Sequence, residues 1–231
     1  MNIYNSNNPV KDDNDLYTSF NNFIFSDDRK LLHKLIYRHK FFMMTNDLPG
    51  DIVECGVFKG SGIFTWAKLI ELYSPFEIKK VIGFDFFDQG FVESLSEKDK
   101  EGMEQVFSRC EASQEEISNK HISDKLLKIG IKPEKFELVK GDISITSKEY
   151  SIKNPGFRIS ILYMDLDIEE PTLEALENFW ERIVPGGVIV FDEYGYGVWT
   201  ESNAVDKFVK KYKLKLQKTK VMAPSAYIVK E

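Results

Sequence analysis

Two runs of apolar residues in this sequence end in paired carboxylates. Tyr163-Met164-Asp165-Leu166-Asp167 closes one, and Phe191-Asp192-Glu193-Tyr194 closes another. Side chains alternate along a strand, so Asp165 and Asp167 share a face. Four carboxylates meeting at neighbouring strand ends repel one another unless a cation or a proton joins them. Oxygen donors of this kind suit a hard divalent ion, with magnesium the first candidate. The plainer alternative is that some of them cap the following helix or face solvent.

A second group surrounds a glycine-rich turn, Glu54-Cys55-Gly56-Val57-Phe58-Lys59-Gly60-Ser61-Gly62. Gly56, Gly60 and Gly62 stand where backbone approaches a ligand closely, and Ser61 opens the next helix. The spacing departs from the dinucleotide fingerprint G-x-G-x-x-G, and an acidic residue opens it. A carboxylate is unfavourable beside a pyrophosphate but favourable beside a sulfonium or an ammonium. Asp85, at the end of a second apolar run, is placed to accept from ribose hydroxyls, and Asp142, at the end of a third, from an exocyclic adenine amine. Either could instead cap a turn or helix. Together they describe a slot for a nucleoside-bearing cofactor.

The elements that must position these residues follow from periodicity. Strands are expected at 51–56, 81–85, 136–142, 159–167 and 188–192, with helical patterns between most of them. This order predicts an α/β fold, a doubly wound, mostly parallel seven-stranded sheet with helices on both faces. Leu214 to Lys218 and Ala226 to Val229 are close enough to form a hairpin, which adds one antiparallel strand. Residues 1–48 read as an N-terminal arm and helix, and 49–231 as the cofactor-binding domain. Residues 1–26 read as a poorly ordered arm. From Asp27 an amphipathic helix is expected to turn Leu31, Leu32, Leu35, Ile36, His39, Phe42 and Met43 to one side. Residues 89–133 exceed an ordinary connection and read as an insertion near the site. Pro185-Gly186-Gly187 is expected to stop the helix before the fifth strand.

Bulk properties narrow the function. The 231 residues carry a net charge of -6, with 42% hydrophobic and 29% charged residues, which suits one globular domain and disfavours a nucleic-acid partner. The lysines at 210, 211, 213, 215, 218 and 220 alternate with apolar residues and read as a solvated face. Two cysteines make no disulfide framework. With no basic-then-apolar leader and no long apolar run, the reading is a cytoplasmic protein without membrane contact.

The glycine turn, Met164-Asp165-Leu166-Asp167 followed by Pro171-Thr172, and the block Pro185 to Tyr194 resemble the macrocin O-methyltransferase family across roughly 49–208. The resemblance implies a class I methyltransferase fold and a magnesium-assisted, S-adenosylmethionine-dependent O-methyltransferase acting on a small-molecule sugar, nucleotide-linked or from a capsule or natural product. It implies Asp165, Asp192 and Glu193 as magnesium ligands, with Asp165 also bordering the cofactor, and Asp167 as general base. The sequence departs from the family pattern at Ile168 and Glu169, where a tyrosine is usual, and at Glu193, where a second aspartate is usual.

Competing readings remain at this level. An N-methyltransferase for an aminosugar needs the same cofactor slot. A nicotinamide-dependent sugar-nucleotide oxidoreductase or epimerase would need G-x-G-x-x-G and a Tyr-x-x-x-Lys pair, and neither stands where it should. A non-catalytic binding module would not need the acidic cluster. Tyr194, Tyr196 and Trp199 could line an acceptor pocket. His33, His39 and His121 read as surface or packing residues. The N-terminal arm and the insertion leave room for a homo-oligomer.

Overall fold

The computed structural model describes residues 13–231. The chain runs α1 (Asp13–Phe25), α2 (Arg29–Thr45), β1 (Asp51–Cys55), α3 (Ser61–Tyr73), β2 (Val81–Asp85), α4 (Glu97–Arg109), α5 (Asn119–Lys128) and β3 (Phe136–Lys140). It continues through α6 (Ile143–Lys153), β4 (Ile159–Met164), α7 (Glu169–Phe179), β5 (Ile183–Phe191), α8 (Glu201–Tyr212), β6 (Gln217–Lys218) and β7 (Ala226–Val229). The strands form one seven-stranded sheet in the order β3-β2-β1-β4-β5-β7-β6. The first five pair in parallel, and β7 lies antiparallel to both β5 and β6. Strand order reverses between β1 and β4, the place where an open α/β sheet leaves a crevice beyond its carboxyl ends.

Alternation divides the core into two layers. Val53, Cys55, Leu162, Met164, Ile189 and Phe191 pack against Tyr150, Leu176, Phe179 and Phe208 of α6, α7 and α8. Ile52, Ile161, Tyr163, Val188 and Val190 pack against Phe41 and Phe42 of α2, Ile63, Trp66 and Ile70 of α3, and Ile122 and Leu126 of α5. Glu54 lies between Val53 and Cys55 in the strand, so it falls on the α2 and α3 side.

Several expectations need correction. Residues 13–25 form a helix rather than a disordered arm; residues 1–12 lie outside the described residues. The stripe expected along one side of α2 is largely exposed: Leu31, Leu32, Leu35, Ile36 and Met43 face outward, whereas Tyr37, Arg38, Phe41, Phe42 and Thr45 are buried. Hydrophobic periodicity identifies a stripe but not its partner, and here charged residues are drawn inward by carboxylates.

Residues 119–128 belong to the core, not to an insertion. Ile122 and Leu126 of α5 are fully buried, so α5 is the crossover helix from β2 to β3, and the inserted part is confined to 89–118. The fourth strand ends at Met164, three residues before Asp167, and Asp167 itself adopts a left-handed backbone (φ 64) that no strand accommodates. The fifth strand begins at Ile183 and runs through Pro185-Gly186-Gly187. The six lysines near the carboxyl terminus are exposed, as expected. Among the described residues no helix is long and apolar enough to cross a membrane.

Candidate active site

The rim beyond the carboxyl ends of β1, β2, β4 and β5 is where the backbone is most unusual. Phe58, Phe87 and Asp167, all non-glycine, have φ of 52, 52 and 64 at the ends of β1, β2 and β4. Each such residue costs about 1–3 kcal/mol and persists only where surrounding contacts over-determine it.

Those contacts are visible on the glycine-turn side. Asp85 Oδ2 accepts from the amides of Val57 and Phe58 at 2.7 and 3.0 Å, and Oδ1 accepts from the Phe87 amide at 2.9 Å. One carboxylate therefore ties the end of β2 to the turn after β1. A carboxylate has about four acceptor positions, so ribose hydroxyls can still be received. Gly56 (φ 89) is required by close approach, since a Cβ there would sit 1.9 Å from the Asp165 carbonyl oxygen. Gly60, also left-handed, is the N-cap of α3 and supplies no side-chain cap. The first amides of α3, with Ser61 exposed beside them, thus remain open to an incoming carboxylate such as that of a methionyl group. Asp142 is the N-cap of α6 and accepts from the Ser144 amide at 2.9 Å.

Glu54 has a different setting. It is 2% exposed, its Oε1 accepts from Arg38 Nη2 at 2.9 Å, and its Oε2 is buried without a partner. Gly62 covers it, because a Cβ at that position would meet the carboxylate at 1.7 Å. Burial pushes the carboxyl up to about 7 against the opposing pull of Arg38. Glu54 therefore supports the turn from beneath.

The acidic residues of β4 and β5 do come together. Lys34 Nζ bridges Asp165 Oδ2 at 3.1 Å and Asp192 Oδ2 at 2.7 Å, and Lys30 Nζ meets Glu193 Oε1 at 2.6 Å. Tyr163 donates its hydroxyl to Asp192 Oδ1. The Arg38 guanidinium lies 4.7 Å from the centre of the Tyr163 ring. Asp167 holds α8 through its carbonyl, which accepts from the amides of Thr200 and Glu201 at 3.0 and 3.1 Å. Its carboxylate Oδ1 is buried with no donor. Burial, and then repulsion from Asp165, raises the Asp167 carboxyl well above the ordinary aspartate range. Asp192 is raised for the same two reasons, with Lys34 opposing.

Four residues of this cluster were not singled out in the sequence. Lys30, Lys34 and Arg38 lie on a helix read by its apolar stripe, and their four-residue spacing is the signal that could have found them. Glu201 is fully buried, and neither carboxylate oxygen has a donor in hydrogen-bond geometry, although the Glu193 amide helps hold its charge. Burial and the proximity of Asp167 raise its carboxyl strongly. A glutamate at the start of a helix ordinarily reads as a solvated partner of the helix dipole, which conceals a residue of this kind.

The aromatic residues after β5 divide. Trp199 packs over Gly102 and against Val92, Met103 and Ile168, forming a wall between the insertion and the rim. Tyr194 bonds Asp206, and Tyr196 bonds the Met222 carbonyl. His33 and His121 each leave one ring nitrogen buried without a partner, and exposed His39 meets the Tyr73 hydroxyl.

As arranged, these carboxylates do not hold a divalent ion. Among the described residues no three His, Cys, Asp or Glu side chains are placed to do so, and the point where Asp165 and Asp192 converge is taken by Lys34.

The macrocin-O-methyltransferase (TylF) family matches residues 32–229. The chain belongs to this family. Its members are S-adenosylmethionine-dependent methyltransferases, and the mostly parallel seven-stranded sheet with antiparallel β7 is the fold that was expected. A curated relative from Streptomyces olivaceus, 8-demethyl-8-(2,3-dimethoxy-alpha-L-rhamnosyl)-tetracenomycin-C 4'-O-methyltransferase, is 24% identical over 159 residues, covering 66% of this chain and 56% of the relative. The match thus spans little more than half that protein's length. Among solved structures, a TDP-rhamnose 3'-O-methyltransferase of calicheamicin biosynthesis is 25% identical with a TM-score of 0.69, covering 96% of this chain and 88% of its own. The O-methyltransferase NovP shares the fold at 19% identity and a TM-score of 0.65, covering 87% and 79%.

Proposed function

We propose that this chain transfers the methyl group of S-adenosylmethionine to a hydroxyl of a sugar, with Asp167 taking the proton. The observation that carries this reading is the Asp167 carboxylate: its Oδ1 has no donor, and its backbone is held left-handed on the rim beside the topological switch point. A buried acceptor whose pKa is raised is a stronger base than a free aspartate once ionised, which general-base work on an alcohol requires.

S-adenosylmethionine, when bound, supplies an electrophilic methyl on a sulfonium and leaves as the neutral thioether S-adenosylhomocysteine. The open amides of α3 and the turn at Gly56 and Gly60 suit its methionyl end, with Ser61 exposed beside them and Gly62 packed over Glu54. Asp85 and Asp142 suit the ribose and the adenine, and Asp165 borders the reacting end. Asp167 receives the acceptor proton as the new carbon–oxygen bond forms, and its negative charge is neutralised in that step. Trp199, packed with Val92 and Met103 of the insertion, suits a wall of the acceptor site. The sugar acceptor is supported by two of the three relatives, the Streptomyces olivaceus enzyme and the calicheamicin enzyme, whose names specify methylation of a rhamnose-type sugar. Magnesium enters no step here, because Lys34 already neutralises the pair that would hold it.

The test is to incubate the full chain with methyl-labelled S-adenosylmethionine and TDP-rhamnose or an aminosugar nucleotide. Label appearing on a sugar oxygen is the expected result. Label on nitrogen alone would replace the O-methyl reading, and failure to bind S-adenosylhomocysteine would remove the methyltransferase reading itself.

A further inference from the structure

Helix α2 presents Lys30, Lys34 and Arg38 at four-residue intervals, which places them on one face. Each meets a different part of the rim. Arg38 pairs with Glu54 of β1, Lys34 with Asp165 and Asp192 after β4 and β5, and Lys30 with Glu193. Carboxylates gathered in a low-dielectric site need a counter-charge, and the helix supplies it from within the chain.

The Lys34 contact is the most confining. Its side chain is 17% exposed, Asp192 is fully buried, and the ammonium lies within 3.1 Å of both carboxylates. We propose that Lys34 is the resident cation of this site, and that a divalent ion and docked α2 exclude each other between Asp165 and Asp192. A magnesium ion binds oxygen at about 2.0–2.1 Å and keeps several waters, whereas an ammonium sits at hydrogen-bond distance, so both cannot occupy one gap. Their mutual repulsion in a partly dry site opposes sharing as well. Glu193 would also have to leave Lys30 before it could turn toward the same ion. The carboxylate set the family resemblance implies is present here, but Lys34 of α2 stands between two of its members.

The inference concerns the cation and not the acceptor, so it can be tested without substrate. Manganese binding to the full chain is followed by the electron paramagnetic resonance of the free ion, for the wild type, Lys34→Met and Lys30→Met. Lys34→Met should bind manganese at least about tenfold more tightly than the wild type, because it removes the competing charge and keeps the volume. Wild-type affinity equal to or greater than that of Lys34→Met overturns the proposal.

Should Lys34→Met fail to fold, acetylation of Lys34 in the wild type, read by mass spectrometry, decides the matter. Protection of Lys34 that persists with manganese bound overturns the proposal. Protection lost as manganese binds supports it, as does protection retained with no manganese bound up to millimolar concentration. S-adenosylhomocysteine binding, measured separately, reports on the cofactor reading and is independent of either result.

Discussion

The two halves of the rim are built on opposite plans. Beyond β2 and β3 the carboxylates are consumed by nearby backbone: Asp142 takes an amide two residues on, and Asp85 takes amides 2, 27 and 28 positions away. Beyond β4 and β5 they are met by side chains from far along the chain, with Lys34 131 positions before Asp165 and Lys30 163 before Glu193. The first half takes shape once adjacent strands pair. The second is complete only when α2 docks, and it keeps buried oxygens without donors at Asp167 and Glu201. Asp85 and Asp142, held in place by backbone amides, suit binding, whereas the Asp167 carboxylate, with an oxygen left without a donor, suits proton transfer.

The sharpest way to break this contrast is at Asp167. Asp167→Asn should lower kcat by about 10²–10⁴, the usual contribution of a general base, while S-adenosylhomocysteine binding by calorimetry stays intact. Equal losses of binding and turnover would make the residue part of the binding half.

Arg38→Met should be the most damaging change to stability. It leaves Glu54 buried and unpaired, a situation that costs about 3–5 kcal/mol and is readable as a shift in the denaturant midpoint. The double variant with Glu54→Gln should recover part of that loss, and no recovery would show that the two residues act independently.

Asp85→Ala should act on the binding half alone. It removes a carboxylate that receives three amides, where bonds to a charged group are worth about 1.5–3 kcal/mol each, so S-adenosylhomocysteine affinity and thermal stability should fall together. Manganese binding to Lys34→Met should be unaffected by it.

A pH profile separates the halves more gently. Burial and neighbouring carboxylates raise Asp167 above 3.8, so its base form appears only as pH rises. The acid limb of kcat/KM should therefore climb well above the range of an ordinary aspartate. A limb centred near pH 4 would remove Asp167 from the role. The smallest effect is expected at the exposed lysines: Lys215→Glu or Lys218→Glu should change stability by no more than about 0.5 kcal/mol and leave turnover unchanged.

Much of the binding half was legible before folding was considered. Apolar runs ending in Asp85 and Asp142, and glycines at 56, 60 and 62, carry local signals: a strand end, a close approach, a helix start. Even there, the pairing of Glu54, expected to contact the cofactor, with Arg38 had no local signal, because it arises from alternation within β1 pointing the side chain toward α2. Residues 119–128 were merged with the insertion, since a short helix after a long polar stretch shows its buried face only through Ile122 and Leu126. On α2 the apolar stripe drew the attention, and most of it is exposed while Arg38 is buried.

What the sequence determined by itself was the alternation of strands and helices, the parallel sheet and the placement of acidic and glycine residues at strand ends, because these follow from period and from neighbours within a few residues. What only the tertiary structure decided was which cation meets those carboxylates and which of them stay without a donor. Those outcomes depend on the angle at which α2 and α8 dock on the sheet, which brings Lys34 to Asp192 and Glu201 to Asp167 across stretches of chain that no local pattern connects.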